Sequence, residues 1–237
     1  MPTALASHGK RLPVEFTTIE VAGDGALRLL EEYRSTYRVT GQYPFLIGGD
    51  EELEHLEEGA EDREESTTDI IAASLAIDGA AWLAKKREQL GADGDDDPDV
   101  VGEWPGEAVD HGSILLHKDI LTGKIKPEVY LGLATIEQPW QLPAVLRFGG
   151  WNDCPFPAVH CALHRSWQER FGAEITGMSG DVVECVVRNP PRDRKAALEL
   201  AWEQFWYCTD IVDQGYGSIS TLAAALLDSP YWYFWWD

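Results

Sequence analysis

Between residues 14 and 21 (VEFTTIEV) apolar and polar positions alternate with the period of a strand. Gly23-Asp24-Gly25 then opens a helix to about Arg38, with Leu27, Leu30, Tyr33 and Tyr37 recurring at helical spacing. Residues 43–47 make a short strand stopped by Gly48-Gly49, which lacks the lysine and spacing of a phosphate loop and reads as a turn. This is a β-α-β pattern. Ser66, followed three residues later by Asp69, marks a helix start. Ile70, Ile71, Leu75, Ile77, Trp82 and Leu83 carry its apolar surface towards Leu90, with Gly79 a candidate break. Residues 91–112, rich in Gly, Asp and Pro, read as a long loop. Strands follow over 113–117 and 128–136, joined by a turn near Thr122-Gly123.

The second half predicts a strand over 143–148, a helix over 155–171, and a hairpin of 175–178 with 181–188 about Ser179-Gly180. Asn189-Pro190-Pro191 ends the hairpin, and Asp193 caps a helix with Ala197, Leu198, Ala201, Trp202, Phe205 and Cys208 on its core face. A short helix over 219–227 precedes a strand over 231–236. The order β-α-β-β-α-α-β is that of a ferredoxin-like split β-α-β sheet with one extra helix. The fold class expected is α+β, with an N-terminal β-α-β-containing region over 1–137 and a C-terminal domain over 138–237, either as separate domains or packed as one globular unit. Residues 231–237 (YWYFWWD) are aromatic on both faces, as in a central strand covered on each side. Asp237 is expected to pair with Arg147 or Arg188 on a neighbouring strand.

Composition narrows the function classes. The 237 residues are 44% hydrophobic and include 10 Trp, enough for one large core or two small ones. No apolar run is long enough for a transmembrane helix, and residues 1–10 lack the pattern of a signal peptide. Four irregularly spaced cysteines form no disulfide framework, so a cytoplasmic location is expected. The formal charge of −22 is mostly local. Residues 50–65 carry ten acids against one arginine, and residues 93–99 five more acids. Two readings stand for these runs: a clamp for a basic partner or nucleic-acid mimic, and plain solvated segments. No basic patch stands out, so nucleic-acid binding is not expected.

The densest chemical cluster is Gly149-Gly150-Trp151-Asn152-Asp153-Cys154-Pro155. If proline begins the helix, Cys154 sits at or just before its N-terminus, where a thiolate is stabilised. His160 lies about a turn and a half further on, so Cys154 as nucleophile and His160 as base form one candidate catalytic pair. The other reading is a small buried cysteine and a helix-starting proline. His160 and His164 have usable metal-ligand spacing, but no further motif supports a metal, and no cofactor is implied. Glu203, Tyr207 and Asp210 share a helical face, with Gln214 just beyond its end. They suit acid–base chemistry, a polar ligand, or simply an exposed face.

Several motifs resemble a bacterial family called domain of unknown function 4253. They are Gly-Gly-Trp-Asn-x-Cys-Pro at 149–155, Phe171-Gly172-Ala173-Glu174, Pro190-Pro191, Glu203-Gln204-x-x-Tyr207-Cys208-x-Asp210, Gln214-Gly215 and the tail Trp-Tyr-Phe-Trp-Trp-Asp. The resemblance is close over roughly 138–237 and looser over the N-terminal half, through Thr40-Gly41 and Tyr43-Pro44. Phe171 stands where the family more often has Tyr. The resemblance implies an actinobacterial-type cytoplasmic protein and brings no catalytic residues.

The leading expectation is therefore a non-enzymatic binding or interaction protein. A protein or small polar ligand would enter a pocket formed by Trp151, Asn152, His160, Trp167, Tyr207 and Asp210, with Glu203 and Gln214 beside it. One version is an immunity-like protein that neutralises a basic toxin. The alternatives are a cysteine-dependent hydrolase or transferase and a metal-binding module.

Overall fold

The computed structural model describes residues 15–61, 63–91 and 98–237, so most of the acidic run at 93–99 lies outside the described residues. Its strands are β1 (Phe16–Ala22), β2 (Gln42–Gly48), β3 (Glu128–Thr135), β4 (Ala173–Met178), β5 (Val182–Val187) and β6 (Tyr231–Trp235). They form one sheet in the order β1-β3-β2-β4-β5-β6. Neighbours are antiparallel except β2 and β4, which run parallel and meet at Leu46 and Gly177. One sheet thus takes strands from both sides of the boundary expected between residues 137 and 138. The Tyr43 hydroxyl on β2 donates to the Ile175 carbonyl on β4 at 2.6 Å. Buried Glu174 accepts from Arg34 at 2.8 Å and from Arg188 at 2.6 Å.

The helices are α1 (Ala26–Thr40), α2 (Asp50–Glu61), α3 (Thr67–Leu75), α4 (Gly79–Leu90), α5 (Pro98–Val101), α6 (Leu142–Val145), α7 (Pro157–Phe171), α8 (Arg194–Tyr207) and α9 (Ile219–Leu226). A π-helical turn, Ile211–Tyr216, links the last two. The fold is thus α+β. Local signals set several boundaries. Ser66 Oγ accepts from the Asp69 amide, and Asp78 accepts from the amides of Ala80 and Ala81. The break expected at Gly79 therefore falls at 76–78, and Gly79 starts α4. The acidic run at 50–61 is helical, with Asp50, Glu51 and Glu52 in the first turn, where they complement the helix dipole.

Other expectations need correction. The ferredoxin-like order is not formed, because residues 143–148 are not a strand. Pro139 starts a 3₁₀ turn and Pro143 is the second residue of the helix that follows it, and Arg147 takes a positive φ of 50°. A short apolar run fits a buried helix as well as a strand, and here all of α6 is buried. Residues 113–117 are not a strand either. With residues 118–126 they form a strap across one face of the sheet, closed by a bridge between Lys118 and Ile125 and a tight turn with Gly123 at φ 67°. The aromatic strand β6 lies at the edge of the sheet, not its centre.

β6 is nevertheless covered on both faces. Trp232, Phe234 and Trp236 join the large core with Trp167, Tyr207 and Phe148. Tyr231, Tyr233 and Trp235 face the smaller cluster of Leu46, Ile114, Leu116, Val129 and Val182, beneath the strap. Arg147 and Arg188 do not pair with Asp237. Arg147 binds Glu15 and Arg188 binds Glu174, while Asp237 is held by Asn152 and Asp210.

Candidate functional site

The motifs singled out in the second half converge on the aromatic tail. Asn152, with φ 43° in the 149–154 turn, donates from Nδ2 to the Asp237 carbonyl at 2.9 Å. Asp210 accepts from the Asp237 amide at 3.2 Å and from Gln214 at 2.8 Å. Cys208 donates to the Trp235 carbonyl at 3.0 Å. Trp167 stacks on Phe234, with ring centroids 5.7 Å apart and planes 3° from parallel, and its indole donates to Glu203 at 3.0 Å. Trp151 is half-buried, edge-on to Phe148 at 5.1 Å.

Within this cluster the Tyr207 hydroxyl sits between two imidazoles, 2.6 Å from His160 Nδ1 and 3.0 Å from His164 Nε2. Cys154 Sγ lies 3.5 Å from His160 Nε2, and Cys185 Sγ lies 3.9 Å from His164 Nδ1. The result is a polar chain, Cys154–His160–Tyr207–His164–Cys185, crossing the core. The Tyr207 hydroxyl has one proton, so it can donate to only one of the two rings, and the other ring must donate to its oxygen; the tautomers set which. Gly149, at φ 98°, permits this packing, since a side chain there would meet the Pro155 carbonyl and the His160 ring.

Burial sets the charge state of the chain. Desolvation pushes the Cys154 thiol up, the His160 imidazole well down and the His164 imidazole down to about 3. Cys154 and His160 thus meet as expected but as neutral groups. Cys154 is not at the helix N-terminus: Phe156 is the N-cap of α7, Pro157 is its first residue, and Cys154 closes the preceding turn on the Trp151 carbonyl. The expected pocket residues His160, Trp167 and Tyr207 are each at most 2% exposed, so they fill core space rather than line a cavity. His160 and His164 share Tyr207, and among the described residues no three His, Cys, Asp or Glu side chains are placed to hold a metal ion.

A cleft of about 580 Å³ opens on the opposite face of the sheet. One wall is the strap, with Lys118, Ile120, Leu121 and Lys126. The floor and far wall bring Asp181, Tyr233 and Trp235, and the first turn of α2 adds Glu51 and Glu52 at the mouth. Lys126 is paired with Glu52. Asp181 accepts from the Trp235 indole at 3.2 Å and from Ser179 at 3.1 Å. Ile120 and Leu121 at the strap tip are 70% and 92% exposed. The sequence reading missed this site. Its visible signal was two adjacent apolar residues inside a turn, between Asp119 and Thr122.

Glu184 lies under the strap and is fully buried. Its Oε1 accepts from the Leu115 amide at 2.6 Å, and Oε2 has no partner. Burial raises its pKa to about 8, against the opposing pull of the Leu115 and Leu116 amides, Lys118 and Lys126.

Among the described residues no helix is long and apolar enough to cross a membrane. No curated protein and no solved structure matches the chain. A family model does match, over β3 to the aromatic tail. Residues 130–237, the C-terminal part of the chain, match the model of the family described as Domain of unknown function (DUF4253).

Proposed function

We propose that the protein is a binding module that takes a cationic, partly apolar segment of a partner protein in the cleft between the strap and β6. The observation that carries this reading is the cleft itself. Its volume of about 580 Å³ is that of a ligand site, and it joins the apolar tip Ile120-Leu121 to an aromatic wall of Tyr233 and Trp235. Its charge favours a basic occupant. Glu51, Glu52, Asp119 and Asp181 line it against Lys118 and Lys126, in a chain of formal charge −22. A Lys or Arg head beside Asp181 would also meet the faces of Tyr233 and Trp235. The four free cysteines are all buried and fit a reducing compartment, which supports a cytoplasmic protein.

Calorimetric titration with an amphipathic Lys/Leu peptide, and with the same peptide carrying Glu for Lys, tests the proposal. The Lys peptide should bind saturably, and Trp235→Ala and Asp181→Asn should each weaken binding about tenfold, or about 1.4 kcal/mol. Equal binding of both peptides, or no effect of the two substitutions, would refute it. The cysteine-enzyme reading has one observation in its favour, the 3.5 Å approach of Cys154 to His160. The burial and neutrality of both groups weigh against it.

A further inference from the structure

Glu184 is the one acid in the apolar run Val182-Val183-Glu184-Cys185-Val186-Val187. A buried carboxyl needs partners for both oxygens, and here only Oε1 has one. Oε2 sits over Gly177, where an added Cβ would come within 2.7 Å of it and 2.8 Å of Leu116 on the strap. The carboxyl is thus pressed between the sheet and the strap, joined to the strap through the Leu115 amide. The strap is one wall of the cleft, so whatever unseats it dismantles the cleft.

We infer that Glu184 is a proton-operated latch: neutral, it lets the strap lie seated on the sheet, and ionised, it drives the strap off. The inference rests on the cleft being the binding site. The physical cause is desolvation. An ionised carboxylate with one unpaired oxygen in an apolar layer is relieved when the strap lifts and water reaches it. The charged and titratable neighbours are few. The strap brings Lys118 and Lys126, which favour the ionised form, and carries the buried His117, whose Nδ1 has no partner. β6 brings Tyr233, directly opposite Glu184 in register. The turn before β5 brings Asp181, and α2 brings Glu52, which is paired with Lys126. The two lysines oppose the latch, and the orphaned oxygen and the apolar cover favour it.

Hydrogen exchange of the Leu115 and Leu116 amides from pH 6 to 9.5, corrected for intrinsic rates, tests the latch without any ligand. Wild-type protection should fall about tenfold per pH unit from pH 6 up to about 8, the slope of a single proton, and level off above it. Glu184→Gln should hold protection constant across the range. If that variant fails to fold, the carbon-13 carboxyl titration of wild-type Glu184 replaces it, and its midpoint must coincide with the pH at which the amide curves level off. Constant wild-type protection, equal pH dependence in Glu184→Gln, or a carboxyl midpoint away from that bend would overturn the latch. Affinity for the Lys/Leu peptide, measured over the same range, is the independent arm. Protection that falls as expected in a protein that binds no peptide at any pH leaves the latch standing and removes the cleft as a binding site.

Discussion

Replacing Tyr207 by Phe removes one oxygen from the centre of the core and keeps the ring. The ring contacts survive, including those with Phe234 at 5.0 Å and Trp236 at 5.1 Å. Two hydrogen bonds do not, the 2.6 Å bond with His160 Nδ1 and the 3.0 Å bond with His164 Nε2. Both imidazoles are essentially unexposed, at 0% and 1%, so water cannot replace the hydroxyl without repacking. Each orphaned buried group costs about 1–3 kcal/mol, and the pair should cost about 2–4 kcal/mol. That is a large share of a typical total of about 5–15 kcal/mol. Urea unfolding at pH 7 measures it. The midpoint should fall with the slope unchanged, because the area buried is unchanged. A loss below about 0.5 kcal/mol would refute the hydrogen-bonded chain, since surface substitutions commonly produce that much.

Deleting residues 231–237 should abolish cooperative folding, because Trp232, Phe234 and Trp236 are at most 3% exposed and each is worth about 3–5 kcal/mol to the core; a cooperative melt from the truncated protein would contradict this. Cys154 should react with a thiol probe only as fast as the protein unfolds globally, and rapid labelling of the native protein would contradict its burial. Stability should be greatest near pH 6.5. Below that, His160 and His164, both lowered, stay neutral when folded while the unfolded histidines gain protons; each costs about 1.4 kcal/mol per pH unit, and together they outweigh the one opposing proton of Glu184. From there to about pH 8, Glu184, raised to about 8, stays protonated when folded while the unfolded carboxyl has lost its proton, so stability falls as pH rises and this contribution levels off above pH 8. Glu184→Gln should remove the fall between pH 6.5 and 8 and steepen the acid limb in pH-dependent denaturation, and a fall that persists would place its origin elsewhere.

What could be read from the chain was local. The Ser66 cap, the hairpin about Ser179-Gly180, the helix after Asp193 and the aromatic strand all depend on neighbours within a few residues, and all form. The strand expected at 143–148 failed because a short apolar run has no period long enough to separate a buried helix from a strand. Asp237 found Asn152 and Asp210 rather than an arginine because those partners depend on how the 149–154 turn folds back over the tail. Aromatic residues on both faces of 231–236 correctly implied two covers, but not that one of them is the strap, nor that the strand lies at an edge. The residues put forward as a pocket do gather in space, and they gather to bury the tail. Glu184 was visible as a lone acid among valines, yet what covers it depends on a segment about seventy residues earlier.

The most direct test of the account is the set of Trp indole signals in the nitrogen-15 spectrum, recorded as the Lys/Leu peptide is added. Ten tryptophans report at once from both faces of the sheet. Trp235, in the cleft wall, should shift saturably, while Trp167, Trp232 and Trp236, in the large core, stay in place. Shifts confined to the core indoles, or no shift at Trp235 at saturating peptide, would contradict it.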